Sequence, residues 1–220
     1  MPVDLLVPVK PLHRAKTRLR GALRGGAQAG PVHAQLVLAR ARDTAAAAAA
    51  AAMVRRVVVI CCDDVVASML AGDGAYVLRV DPATGLNQAL RHAETALAGG
   101  APTVALAALP ADLPALRAAE LDAALRGGLA AGCRAFCADR TGTGTALLFA
   151  PPGRPLRPCF GPGSAAAHRA SGAWELLGHW PGLRCDVDTA ADLAAARALG
   201  LGRFTRAALE TSPHCPGAMS

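Results

Sequence analysis

Aromatic side chains are scarce in this chain of 220 residues: one tyrosine, two tryptophans and four phenylalanines, 3% in all. Nucleic-acid bases stack on such rings, so their scarcity argues against a nucleic-acid surface despite a formal charge of +7. Small phosphorylated ligands are the better match to that charge. The cysteines, Cys61, Cys62, Cys133, Cys137, Cys159, Cys185 and Cys215, are odd in number and contain no CxxC pair at zinc spacing. They read as small apolar thiols of a reduced, cytoplasmic protein. No segment is apolar and long enough to span a bilayer, the longest uncharged helical stretch being the alanine-rich 44–54. The start MPVDLLVPVKP carries Asp4 and lacks the basic-then-apolar order of a signal peptide. The six histidines are dispersed and suggest no ligand cluster.

No Pro/Gly/Ser-rich boundary or repeat divides the chain, and its length suits one domain, expected over 1–209 with a disordered tail at 210–220. Short β-branched runs at 3–9, 56–62, 75–80, 103–109, 133–139, 145–151 and 183–188 alternate with segments of helical period at 31–54, 64–70, 86–98, 115–126, 163–177 and 189–199. That alternation predicts an α/β fold with a mostly parallel sheet covered on both faces. Pro31 suits a first helical position, Thr189 with Asp192 resembles a capping box, and the alanines at 45–52 read as the middle of a long helix.

Open parallel sheets bind ligands beyond the carboxyl ends of their strands. There the sequence places Lys10, Arg14, Lys16, Arg18 and Arg20 after the first run, Asp63 and Asp64 after the second, Asp112 after the fourth, TGTGT before the sixth, and Asp186 and Asp188 at the last. Cations and separated carboxylates on one rim suit nucleotidyl transfer between phosphates, with Mg²⁺ on oxygen ligands. Asp112 and Asp186 are the first candidates for metal ligands, and Asp188, on the same face of the expected strand, is a third. Each feature has a plainer reading: a solvated loop for the basic cluster, and helix caps for Asp63, Asp64 and Asp112. TGTGT fails as a dinucleotide fingerprint, because Leu147 stands where a third glycine belongs. FGPGSAAAH leads into a helix whose free amides favour an oxyanion, or it is a simple turn and cap.

Together, PVKPLHRAKTRL, GLNQAL, LPADLP, GTGTALL, FGPGSAAAHRASG and CDVDTAADL, in this order across residues 3–200, resemble the phosphoenolpyruvate / 2-phospho-L-lactate guanylyltransferases of coenzyme F-420 biosynthesis. The resemblance implies a three-layer Rossmann-like nucleotidyltransferase fold, related to the molybdenum-cofactor guanylyltransferases, that uses GTP and Mg²⁺ to guanylylate a small phosphorylated three-carbon acid. It further implies that Lys10, Lys16 and Arg18 hold the GTP phosphates and serve catalysis, that Asn87 sits near the nucleoside, and that Thr145, Gly161 and Ser164 bind the acid. Thr143 competes with Thr145 for that role, because TGTGT aligns in two ways. Asp112, Asp186 and Asp188 match the family's metal-binding positions. Phosphoenolpyruvate is the expected acceptor, with 2-phospho-L-lactate, 3-phosphoglycerate, a molybdopterin-type acceptor or a non-catalytic nucleotide-binding module as alternatives. A homodimer and coupling to the next transferase of the pathway stay open.

Overall fold

The computed structural model describes residues 2–12, 29–97 and 104–211. Lys16 and Arg18 lie outside the described residues, as do Arg14, Arg20, Cys215 and nearly all of the expected tail. In chain order the elements are β1 (Val3–Pro8), α1 (Ala29–Ala49), β2 (Val54–Cys61), α2 (Asp64–Gly72), β3 (Tyr76–Arg79), α3 (Leu86–Leu97), β4 (Ala105–Ala108), α4 (Ala118–Ala131), β5 (Ala135–Ala138), β6 (Thr145–Ala150), α5 (Ser164–Ala170), β7 (Trp174–Glu175), α6 (Pro181–Arg184), α7 (Ala190–Leu199) and α8 (Arg203–Glu210).

The strands form one sheet in the order β3-β2-β1-β4-β6-β5-β7. It is parallel except for β6, which runs antiparallel to both β4 and β5. Alternation along the strands divides the core between its two faces. Leu5, Val7, Val57 and Val59 pack with Ala41, Ala45, Leu70 and Leu121 of α1, α2 and α4. On the other face, Leu6, Val58, Ile60 and Phe136 pack with Ala89, Leu90 and Ala165 of α3 and α5. The result is the three-layer arrangement expected from the alternating pattern. A smaller cluster of Leu36, Cys185, Val187, Ala196 and Leu209 fastens the C-terminal elements onto α1. Among the described residues, no helix is long and apolar enough to cross a membrane.

Several boundaries differ from expectation, each for a physical reason. The segment 183–188 is not a strand: Pro181 begins the short α6, and the place beside β5 is taken by β7. The helix expected over 163–177 stops at Ala170, where Gly172 N–H bonds to Arg169 O and Ala173 N–H to His168 O, the Schellman ending of a helix. The alanines at 45–52 form the end of α1 and its turn, not its middle, and the Asp122 carboxylate accepts from Ala52 and Met53 N–H at 3.0 and 2.8 Å. The helix expected from residue 115 starts at Ala118 and runs past Arg126 through two glycines. A Cβ on Gly128 would meet the Phe149 ring at 2.7 Å, so glycine permits α4 to approach the sheet. Pro31 falls in the first turn of α1, where its missing N–H costs nothing. Helix α8 was not expected at all.

Asp63 caps α2, accepting from Val65 and Val66 N–H at 3.0 and 3.2 Å, and Thr189 forms the capping box with Asp192. All six described cysteines are free. Cys61 belongs to the core and Cys62 lines a recess described below, which gives the paired cysteines a place in the packing.

Candidate functional site

The chain leaves β1 toward β2 and β3 on one side and returns to β4 on the other, so strand order reverses between β1 and β4. Parallel sheets open a crevice there. Because β6 is antiparallel, its first residue, Thr145, reaches the same rim as the last residues of β4 and β5. A cleft of about 600 Å³ occupies this place. Its walls include Lys10 after β1, Asp112 after β4, Thr143 and Thr145 at β6, Gly161 and Ser164 before and at the start of α5, and Asp186 and Asp188 before α7. Segments more than 170 residues apart thus converge on one volume. A recess of about 240 Å³ adjoins it across Lys10 and Leu86, walled by Cys62, Asp81 and Thr84.

The three aspartates stand on a braced wall. Val187 N–H donates to Asp112 O at 3.0 Å, joining the two segments that carry them. Leu113 N–H donates to Thr44 Oγ1 at 3.0 Å, fixing the Asp112 loop against α1. Buried Arg40 donates to Val187 O. Its burial lowers its pKa, opposed by the Asp112 carboxylate. The sequence pattern missed Arg40, which looks like any other helical arginine until the fold buries it. Asp112 does not cap a helix, since α4 begins at Ala118 behind Arg117. Asp186 and Asp188 share the cleft without the strand alternation expected to place them. Among the described residues, no three His, Cys, Asp or Glu side chains form a preassembled metal cage.

The opposite wall is a set of interlocked turns. Asp139 accepts from Gly144 N–H at 2.9 Å, Thr143 N–H at 3.1 Å and the Thr141 hydroxyl at 2.9 Å. Ala165 N–H donates to Thr143 O and Ser164 N–H to Gly161 O, both at 3.1 Å, so these two amides of α5 are engaged within the fold and not free as expected. Gly161 has φ +142°, a conformation that L side chains rarely adopt, and this admits its backbone to the cleft. Thr143 is exposed at its position, whereas Thr145 is 6% exposed. Asn87 does not itself line the cleft. Its amide clamps the neighbouring turn, donating to Phe160 O at 2.9 Å and accepting from Phe160 N–H at 2.8 Å. His168, dispersed among unassigned histidines in the sequence, lies fully buried behind Thr145.

Curated relatives match nearly the whole chain. A phosphoenolpyruvate guanylyltransferase of Salinispora arenicola is 51% identical over 203 residues, covering 91% of this chain and 90% of the relative. Another of Streptomyces avermitilis is 50% identical over 205 residues, covering 93% and 92%. A third, of Rhodococcus opacus, is 45% identical over 225 residues, covering 96% and 91%. Solved structures share the fold at much lower identity. A Desulfovibrio desulfuricans protein assigned to the nucleotide-diphospho-sugar transferases superposes with a TM-score of 0.66 at 20% identity, covering 96% of this chain and 95% of its own. A Methanothermobacter nucleotidyl transferase does so with a TM-score of 0.55 at 17% identity, covering 94% and 99%. No family model matches the chain.

Proposed function

The chain belongs to the phosphoenolpyruvate guanylyltransferase family, and from that premise we propose that it transfers GMP from GTP to phosphoenolpyruvate, yielding enolpyruvyl-diphospho-guanosine and pyrophosphate for coenzyme F-420 biosynthesis. The observation that carries this reading is the identity of about half the residues with such enzymes over more than nine-tenths of the chain.

The cleft supplies the chemistry the reaction needs. A phosphate oxygen of the acceptor attacks the α-phosphorus of GTP; a new P–O bond forms, the bond to the bridging oxygen breaks, and pyrophosphate departs with that electron pair. Two anions must meet, so charge has to be neutralised and the attacking oxygen aligned. Lys10 at the cleft mouth offers one cation to the triphosphate. Lys16 and Arg18 are proposed for the same task on their motif alone. Thr145, Gly161 and Ser164 line the same volume, and their hydroxyls and backbone would hold the carboxylate and phosphate of the acid. The adjoining recess beside Leu86 is of the right order to take part of the nucleoside, with Asn87 acting through the turn it clamps.

Asp112, Asp186 and Asp188 fit a hard divalent cation. Carboxylate oxygens lining one cleft are ligands that Mg²⁺ takes alongside water and phosphate oxygens. When bound, Mg²⁺ would supply Lewis-acid polarisation of the phosphoryl group and offset the charge of the leaving pyrophosphate. A cytoplasmic location belongs to the same proposal and is supported by the free thiols and the nature of the substrates.

The test is pyrophosphate release from GTP and Mg²⁺ with each of phosphoenolpyruvate, 2-phospho-L-lactate and 3-phosphoglycerate, the product being identified by mass spectrometry. Release with phosphoenolpyruvate is expected. Release only with another acid would change the acceptor, a preference for CTP would change the donor, and silence from folded protein would overturn the reaction.

A further inference from the structure

Resting on that reaction, we infer that His168 is a positioning residue for the acceptor acid, holding the Thr145 hydroxyl with its proton aimed into the cleft while anchoring the turn that carries Gly161. His168 Nε2 lies 2.9 Å from the backbone nitrogen of Cys159, whose N–H can only donate. That nitrogen of the ring must therefore be a bare acceptor, and the neutral imidazole carries its proton on Nδ1. His168 Nδ1 is 2.9 Å from Thr145 Oγ1. The threonine oxygen thus accepts from Nδ1–H, and its own hydrogen is left to be donated elsewhere. Thr145 lines the cleft, so its hydroxyl presents a donor to an anionic ligand there.

The same ring bonds Thr145, and the other two residues expected to bind the acid lie within one helical turn of it or two residues of chain from its contact. Cys159 lies two positions before Gly161, and the Phe160 ring between them stands edge-on to His168 at 5.2 Å and 77°. Ser164 lies four positions before His168 on α5, one turn away on the same face. Burial and the Arg134 guanidinium hold the imidazole neutral down to a pKa of about 4. A charged ring would direct an N–H at the Cys159 N–H, which that geometry forbids. The chain thus uses a buried histidine as a tautomer lock, converting an ambivalent hydroxyl into a dedicated donor.

Two substitutions separate the ring's two bonds. His168→Gln keeps an acceptor for Cys159 N–H but offers Thr145 no Nδ1 donor. His168→Asn keeps a donor near Nδ1 but abandons Cys159. With the intact protein, KM for phosphoenolpyruvate and for GTP is measured in both variants, in Thr145→Val and in Thr145→Val combined with His168→Gln. Loss of a hydrogen bond to a charged acid predicts a rise of about tenfold or more in the acceptor KM for Thr145→Val and His168→Gln, with the GTP KM within about twofold of wild type. The double variant should be no worse than Thr145→Val alone, because the histidine acts through the hydroxyl. Equal effects on both substrates, or multiplied effects in the double variant, would overturn the role. ¹⁵N NMR of histidine-labelled wild-type protein needs no variant: a proton on Nδ1 is expected, and one on Nε2 refutes the lock. Wild-type protein silent toward the acid would sink the proposed reaction instead, and the NMR result would still decide the tautomer.

Discussion

His168 shows at the scale of one residue how neighbours set chemical behaviour. Burial first, and Arg134 second, lower its imidazole from 6.5 to about 4. Between those values the unfolded chain binds the extra proton, so stability rises with pH; the contribution is complete above about pH 6.5 and is lost as pH falls toward 4, up to about 3 kcal/mol in all. Urea unfolding of wild type and His168→Gln from pH 7.5 to 4.5 checks the sign, and the stability gap between them should narrow with acidity. The aspartates yield a complementary prediction. Asp112→Asn and Asp186→Asn should each lower turnover at least about a hundredfold in the pyrophosphate assay, because charge compensation at the phosphates is lost. Asp112→Asn should also lower the melting temperature, because its carboxylate offsets the charge of buried Arg40, while the backbone brace from Val187 N–H to Asp112 O remains. Motif order was enough to single out these carboxylates. It could not single out Arg40 or His168, whose roles come from burial between segments distant in sequence.

At the scale of elements, α7 and α8 make an instructive pair. Helix α7 carries its own start signal, the Thr189 and Asp192 capping box, and the pattern found it. Helix α8 has none: Gly202 precedes it, and its first amides are capped by Asp43 of α1, which accepts from Phe204 and Thr205 N–H at 3.0 and 2.7 Å. A cap lying 161 positions away cannot be read locally. Asp43→Ala should cost about 1 kcal/mol and speed amide exchange in the first turn of α8 while β1 and β6 stay protected, as hydrogen–deuterium exchange would show. Faster exchange throughout would mean that the cap holds more than α8. The misread segment 183–188 belongs to the same scale. Its apolar and acidic alternation imitates a strand, but sheet membership depends on which segment reaches β5, and β7 occupies that edge.

Across the whole molecule, stability and reactivity sit at opposite ends of the sheet. The cleft opens at the carboxyl ends, whereas Asp4, near the start of β1, is clamped by Arg55 at 2.6 and 2.7 Å and by Arg56 at 2.8 and 3.0 Å. Burial raises the Asp4 carboxyl, but the bonds and charges of the two arginines outweigh it and leave the pKa below 3.8. Its contribution is therefore present above that ordinary value and is lost as pH falls through and below it. Asp4→Asn should cost about 1–2 kcal/mol at neutral pH, discounted because both arginines are partly exposed, with neither KM changed; thermal melts and steady-state kinetics test the separation. The amino-acid sequence by itself determined the α/β class, the alternation of six of the seven strands with their helices, and the place of Lys10 and Asp112 beyond the ends of β1 and β4, because hydrophobic period and strand-end position are local properties. Tertiary structure alone decided the antiparallel course of β6 that delivers Thr145, the burial that makes Arg40 a brace, and the two bonds that give His168 its tautomer. Each depends on which distant segments meet, and only the packed sheet specifies that.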